Sequence, residues 1–438
     1  MNKILFYFKN VIFRKYSIAN YKKLEKNLKL STEELDAIKL EKLIKIFIFA
    51  KKNVPYYEKA FKDIYISDIK SIRDLEKLPV LTKEDVRNNF KDLIAKNVSK
   101  KYLNKVTTGG STGAPLTVYH DNRFPIEVIG WRVLTWWKVN PSDNIAFIYR
   151  KVRTGWRENI NSLIWYPTKR IFLDASLMNP ESMHLFYKKI LITKPKIIQG
   201  YVGAVFEFAK FCQKNKYELD FLSVIWVTSA PLSESYRKFM EDVYGVPVYD
   251  QYGCGEVYWL AAECDNKEGL HVFSDVRTIE IIDKNNLNMP NGEYGEVAIT
   301  DLENFAFPLI RYKNGDRGRY LNKQCSCGIP LPLMDKIKGR VTDTIKLPSG
   351  SIIAGDFLTT IFDNFPDAVY EFQIYQYKNY SLCLYCVPGK AKDYEDICKK
   401  QVLILEKLTS SEVLIDLKFV DSISHDQGKT RFIISEVK

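Results

Sequence analysis

Lys196-Ile-Ile-Gln-Gly-Tyr201, Val224-Ile-Trp-Val-Thr228 and Pro247-Val-Tyr-Asp-Gln251 are short runs rich in β-branched and aromatic residues. The helical patterns Ala204–Lys214 and Ser233–Tyr244 separate them. A strand, a helix of this length and another strand fit a right-handed crossover, which returns the chain to lie parallel to itself. Upstream, the strand candidate Ile145–Tyr149 and the helical patterns Pro125–Val139 and Glu181–Leu191 continue the rhythm. This predicts parallel βαβ subdomains with helices on both faces of the sheet.

The flanks read differently. Residues 1–100 are Lys-rich and helical, with Leu40, Leu43, Ile44, Ile46 and Phe47 near helical spacing, and Thr82 before Glu84 and Asp85 reads as an N-cap. His271–Ile282 alternates with period two, turns at Pro290-Asn-Gly292 and resumes at Gly295–Thr300, which predicts antiparallel hairpins in a small sheet or barrel. After a boundary near Gly339–Ser349, the strand candidates Val369–Tyr375, Tyr380–Val387 and Glu412–Val420 mix with two helices. The expected organisation is a helical region over 1–100, a core over 101–340 and a mobile α+β domain over 341–438. The fold class is thus a large α/β N-terminal domain carrying a small antiparallel sheet or barrel, with a small α+β C-terminal domain.

The 438 residues are 46% hydrophobic and 27% charged, an ordinary globular balance that excludes a disordered chain, a collagen and a short disulfide scaffold. No run of about 18 apolar residues occurs, so a spanning helix is excluded. Lys and Arg number 65 against 53 Asp and Glu, a net charge of +12. The lysines are scattered, which suits a solvated surface and phosphate-bearing ligands better than a nucleic-acid module. Lys9, Arg14 and Lys15 interrupt the apolar start, so it is no secretory leader, and the expected location is cytoplasmic with reduced or metal-bound thiols. Phe6, Phe8, Ile12 and Phe13 are candidates for one side of an amphipathic helix making peripheral membrane contact, packing on the domain being the alternative.

Val106-Thr107-Thr108-Gly109-Gly110-Ser111-Thr112-Gly113-Ala114-Pro115-Leu116 combines glycines, which let backbone N–H groups approach an anion, with hydroxyl donors. It suits a polyphosphate, although such a loop alone also serves as a connector. It has no Gly-Lys-Ser/Thr and is not a Walker loop. Downstream, in order, come Ser229-Ala230-Pro231-Leu232, Tyr252-Gly253-Cys254-Gly255-Glu256, Arg311-Tyr-Lys-Asn-Gly-Asp316, Gly339-Arg340-Val-Thr342 and Gly428-Lys429-Thr430.

In this order the segments resemble the adenylate-forming superfamily over roughly residues 50–435. Pro55-Tyr-Tyr57 and Leu78-Pro-Val-Leu-Thr-Lys83 are similar to its phenylacetate–CoA ligase group and the CapK-like branch linked to capsular polysaccharide synthesis. The resemblance implies that Thr107 to Gly113 cradle the ATP β- and γ-phosphates. Ser229, Ala230, Pro231, Tyr252 and Gly253 would hold adenine, Glu256 would bind Mg²⁺, and Asp316 would take the ribose hydroxyls. Arg340 would contact ribose or phosphate, and Lys429 would reach the α-phosphate and the substrate carboxylate. The chemistry is consistent: a carboxylate attacking a phosphate needs cations where negative charge shifts. Taken singly, Asp316 reads equally as a turn residue, Glu256 as a helix cap and Lys429 as one surface lysine. The chain departs from common superfamily patterns at Leu116, Gly255 and Thr342.

Cys264-x6-His271 and Cys325-x-Cys327 flank the antiparallel region. Three thiolates and an imidazole make a closed tetrahedral set for structural Zn²⁺, the alternative being four unrelated residues. Related ligases carry similar Cys and His positions, which the resemblance adds to the spacing. Cys383 and Cys386 fall within a strand and read as core thiols.

The expected function is an ATP-dependent ligase that forms an acyl-adenylate and passes the acyl group to CoA, a carrier-protein thiol or a sugar amine, in surface polysaccharide biosynthesis. The competing reading is a catalytically weak nucleotide-binding scaffold in a membrane-associated glycan-assembly complex. Trp131, Tyr149, Tyr201 and Val202 are candidates for the acid pocket.

Overall fold

The computed structural model describes residues 2–107, 116–150, 156–337, 339–340, 344–354, 358, 361–362, 364–423 and 431–437. The chain divides into two compact units. One is formed by Met1–Phe6, Ser142–Asp250 and Ile337–Lys438, the other by Tyr7–Pro141 and Gln251–Lys336.

In the first unit Ile145–Tyr149, Arg170–Asp174, Ile197–Tyr201 and Val224–Thr228 are parallel strands, in the spatial order 170, 145, 197, 224. Val224–Thr228 is buried at every position, as a strand covered by helices on both faces must be. The helix Glu234–Tyr244 starts at Ser233, whose hydroxyl accepts from the Tyr236 N–H, and stops at Gly245 in the left-handed region (φ 68°). It packs through Tyr236, which stacks on Phe206 of the helix Val202–Lys214 with ring centroids 4.0 Å apart.

The sequence pattern misses the helix Trp156–Trp165 and the strand Arg170–Asp174. That helix leaves Ile160, Leu163 and Ile164 exposed, and that strand ends the parallel row with only Leu173 buried, so neither shows a clear apolar period.

The C-terminal α+β region has the strand order Ile415–Phe419, Leu382–Pro388, Val369–Gln376, Ile433–Ser435, with the helix Tyr394–Leu408 against it. Cys383 and Cys386 are both buried in that sheet, as core thiols. Glu371 of this sheet is buried, and its carboxylate accepts from Lys210 Nζ at 2.5 Å and from the Tyr236 hydroxyl at 3.4 Å.

The second unit holds the helices Lys15–Asn27, Thr32–Asn53 and Glu127–Trp136, together with the antiparallel strands. Thr82 caps the helix Lys83–Asn88, as read from sequence, accepting from the Asp85 N–H at 3.1 Å. Arg277–Ile282, Gly295–Asp301 and Tyr312–Gly318 form an antiparallel row. Ala261–Glu263, Leu270–Val272 and Leu333–Met334 form another.

The continuous alternating strand expected over His271–Ile282 is corrected here. It is two strands, Leu270–Val272 and Arg277–Ile282, and every residue of both is buried. Asp275 occupies the break. Its carboxylate accepts from Arg132 Nη1 (2.7 Å), Arg132 Nη2 (3.2 Å) and Asn27 Nδ2 (2.8 Å), and its carbonyl from Lys42 Nζ (2.6 Å). Burial opposes charge on the Asp275 carboxyl, but the Arg132 guanidinium wins and holds it below its ordinary range.

The N-terminal helix Asn2–Phe13 also corrects an expectation. Phe6 is buried whereas Phe8, Ile12 and Phe13 are exposed; Phe8, two residues from Phe6, points to nearly the opposite side of the helix, and Phe13 is its last residue. Among the described residues no helix is long and apolar enough to cross a membrane.

Candidate functional site

Two of the sequence segments meet in the second unit. The register of Gly295–Asp301 against Tyr312–Gly318 pairs Glu296 with Arg317 and Ala298 with Lys313. Val297 therefore faces Asn314, Gly315 and Asp316 together, which is a bulge. Gly315 sits there at φ +81°, a conformation L side chains rarely adopt. Bulges re-aim side chains, and this one turns Asp316 toward Tyr252.

The Tyr252 hydroxyl donates to Asp316 Oδ2 at 2.9 Å. Asn314 Nδ2 donates to the Tyr252 hydroxyl oxygen at 2.8 Å and to Asp316 Oδ2 at 2.6 Å. Burial, then the neighbouring Asp316 carboxylate, pushes the Tyr252 phenol well above its usual range, so it stays a donor. Gly253 follows because a Cβ there would lie 2.8 Å from Gln251 Nε2 and 3.0 Å from the Trp259 nitrogen.

Glu256 is buried, and its Oε1 accepts from the Tyr312 hydroxyl at 2.9 Å. Burial raises the Tyr312 phenol, and Glu256 adds to the shift. Behind this segment, His120 Nε2 lies 3.1 Å from both the Gly255 and the Glu256 carbonyl oxygens. Carbonyls only accept, so Nε2 carries the proton and Nδ1 is the bare nitrogen of the neutral ring. Burial lowers the His120 pKa and favours that neutral form. Tyr312, Asn314 and His120 were not singled out as site residues from sequence. Tyr312 and Asn314 were within reach, since burial alternates along Tyr312–Gly318 and places them with Asp316. His120 lies 135 residues from Gly255 and gives no local signal.

The remaining candidates fall elsewhere. Thr107 ends the strand Leu103–Thr107, exposed, 3.3 Å from the Thr117 hydroxyl. Thr108, Gly109, Gly110, Ser111, Thr112, Gly113 and Lys429 lie outside the described residues. Arg340 is in the short strand Gly339–Arg340. Ser229, Ala230 and Pro231 follow the strand Val224–Thr228 of the first unit, with Ser229 at φ 77°. Of the acid-pocket candidates, Tyr149 and Tyr201 meet edge to face at 4.9 Å in that unit, with Val202 next in chain. Trp131 belongs to the second unit and packs on Tyr21 at 5.9 Å.

Cys264, His271, Cys325 and Cys327 converge in the second unit, their ligand atoms all within 4.8 Å of one another. Cys264 Sγ is 3.5 Å from Cys325 Sγ, and Cys327 Sγ is 3.3 Å from His271 Nε2. A tetrahedral zinc with ~2.3 Å bonds to sulfur spaces its thiolates roughly 3.8 Å apart, so the donor set fits such an ion. The antiparallel pairing of Leu333 with His271 brings the two loops together. His271 Nδ1 lies 3.2 Å from the Leu331 carbonyl and donates to it, which directs the Nε2 lone pair at the thiols. Burial pulls the His271 pKa down to about 4, so the ring is neutral, as a ligand must be. The same burial pushes the Cys264 and Cys327 thiols up, a cost that a bound cation reverses.

Residues 345–436 match the family model of the CapK C-terminal domain. The chain is similar to Protein CapK of Staphylococcus aureus, 25% identical over 429 residues that cover 92% of this chain and 90% of that one. It is 28% identical to phenylacetate-coenzyme A ligase of Aromatoleum evansii over 327 residues, 72% of this chain and 73% of that enzyme. A crystal structure of 2-hydroxyisobutyryl-CoA ligase in the postadenylation state shares its fold, with a TM-score of 0.76 at 19% identity, covering 93% of this chain and 90% of that one. The ordered segments, the C-terminal match and these relatives agree in making the chain similar to adenylate-forming ligases of the phenylacetate–CoA ligase and CapK-like group.

Proposed function

We propose that the protein is an AMP-forming acid ligase: a carboxylate attacks the ATP α-phosphate, giving acyl-AMP and pyrophosphate, and the CoA thiol then displaces AMP. The observation that supports it most is the joining of Tyr252-Gly253 to Asp316, 64 residues on, by hydrogen bonds. An aromatic wall and a buried carboxylate held together suit adenine and the two ribose hydroxyls, which a carboxylate accepts as a pair. Glu256 would hold the Mg²⁺ that neutralises phosphate charge. Thr107 to Gly113 would cradle the phosphates, Ser229, Ala230 and Pro231 would flank adenine, and Arg340 and Lys429 would bring positive charge to the reacting groups. Cys264, His271, Cys325 and Cys327 would hold one structural Zn²⁺.

Pyrophosphate release with a panel of carboxylic acids tests the reading. Lys429→Ala is expected to raise the adenylation barrier by ~2–4 kcal/mol, typical for losing one electrostatic donor, with the melting temperature unchanged. Adenylation at the parent rate would remove Lys429 from the chemistry. His120→Phe removes the donor that holds the Gly255 and Glu256 carbonyls and is expected to weaken Mg²⁺-dependent ATP binding by roughly 5–30-fold, the worth of about 1–2 kcal/mol of lost hydrogen bonding. Unchanged ATP affinity by calorimetry would leave His120 a packing residue.

For the acceptor, CoA fits the ligases the chain resembles, while the CapK likeness supports an acid destined for surface polysaccharide, passed to a carrier thiol or a sugar amine. Gly255 and Thr342, where the family pattern differs, favour the second reading, a nucleotide-binding scaffold in glycan assembly. ATP binding without pyrophosphate release from any acid would select it.

A further inference from the structure

We infer that the outer face of the first two helices docks on an anionic lipid surface. The inference is independent of the ligase reading. On Asn2–Phe13, the residues Ile4, Phe8, Val11 and Ile12 follow the spacing i, i+4, i+7, i+8 and form one stripe, exposed by 77, 63, 53 and 53%. Phe13 and Tyr16 extend the exposed surface at the helix junction. A water-facing helix side made only of large apolar residues calls for an occupant.

The second helix, Lys15–Asn27, supplies charge of one sign. Lys22, Lys23 and Lys26 are exposed on it. The first 30 residues hold eight Lys or Arg against a single acid, Glu25. That acid is turned inward, within 3.5 Å of the Thr135 hydroxyl, and does not dilute the basic face. The helix is fixed from its other side. Glu127 accepts from the Ser17 hydroxyl at 3.1 Å and pairs with Arg14 at 3.5 Å, and Asn27 bonds Asp275. These contacts anchor the second helix, and through Arg14 the junction with the first.

Exposed apolar groups on one helix, followed in the chain by exposed lysines on the next, suit the boundary of an anionic bilayer, where side chains enter the acyl region and ammonium groups meet phosphates. The first helix has 12 residues, about 18 Å at 1.5 Å per residue, far short of a span, so it lies in the surface plane. A second copy docked by a two-fold axis would set lysines against lysines. Nucleic acid offers no apolar bed for Ile4, Val11 and Ile12.

Sedimentation of the full chain with vesicles tests this. Binding is expected to vesicles of equal phosphatidylcholine and phosphatidylglycerol and not to phosphatidylcholine alone, weakening as salt rises. Phe8→Ser with Ile12→Ser is expected to cut binding about tenfold or more while leaving the melting temperature in place. Lys22→Glu with Lys23→Glu is expected to remove the preference for anionic vesicles. No sedimentation with the anionic vesicles overturns the proposal. So does a dimer in light scattering that Phe8→Ser dissociates, which would assign the face to a second copy.

Discussion

Cys325→Ser is expected to lower the melting temperature by roughly 10 °C. A zinc-peptide site is worth about 10–16 kcal/mol, and keeping even a third of that as stability, at about 2–4 °C per kcal/mol for a unit of this size, gives a drop of that order. The substitution removes a thiolate from a set whose atoms already lie within 4.8 Å, so the remaining donors must share an incomplete shell. Elemental analysis of protein purified without chelator should return one zinc per chain, and a strong chelator should reproduce the loss in the parent protein. The pH dependence of the metal-free chain follows from His271. Its folded pKa, near 4, lies below the ordinary 6.5, so unfolding takes up a proton there. That contribution to stability is whole above about pH 6.5 and is lost as pH falls toward 4. Less than a tenth of a zinc per chain with an unmoved melting temperature would make these four residues ordinary core.

Asp275→Ala carries the second large effect, about 3–5 kcal/mol of folding stability. Arg132 and Asp275 are both fully buried, and the carboxylate takes both terminal nitrogens of the guanidinium. Removing it leaves a fully buried cation without its counter-charge, beside an Arg132 Nε that already lacks a partner among the described residues. The midpoint of denaturant unfolding reports the loss. The double variant Arg132→Met with Asp275→Ala should be milder than Asp275→Ala alone, since it removes the stranded charge as well. A midpoint that stays put in Asp275→Ala would show that the pair is solvated and contributes nothing.

The parallel rows were legible because strands such as Val224–Thr228 are short runs of β-branched and aromatic residues and the helices between them carry their own start and stop residues, such as Ser233 and Gly245. Arg170–Asp174 was not, since an edge strand buries little and shows no period. The break at Asp275 escaped the alternation pattern because its partners, Asn27 and Arg132, stand 248 and 143 residues away. For the candidate nucleotide site, the segments around Tyr252 and Asp316 stood out by composition, but their contact depends on a bulge whose register only the paired strand Gly295–Asp301 sets. The Cys and His pairs were visible as spacings, and strand pairing, a long-range fact, gathers them.

The Asp275 node also sets a timetable. Asn27 cannot meet its carboxylate until 248 further residues have been added, which at about 5–20 residues per second takes roughly 12–50 s of synthesis. Once they emerge, the first helices wait without Asp275 for the rest of that interval, and the inward residues Phe6 and Leu24 have no finished core to enter. The nascent chain thus carries apolar surface on both sides of its first helix. Its capture by a holding chaperone, or by a bilayer, is a matter of which arrives before residue 275 does.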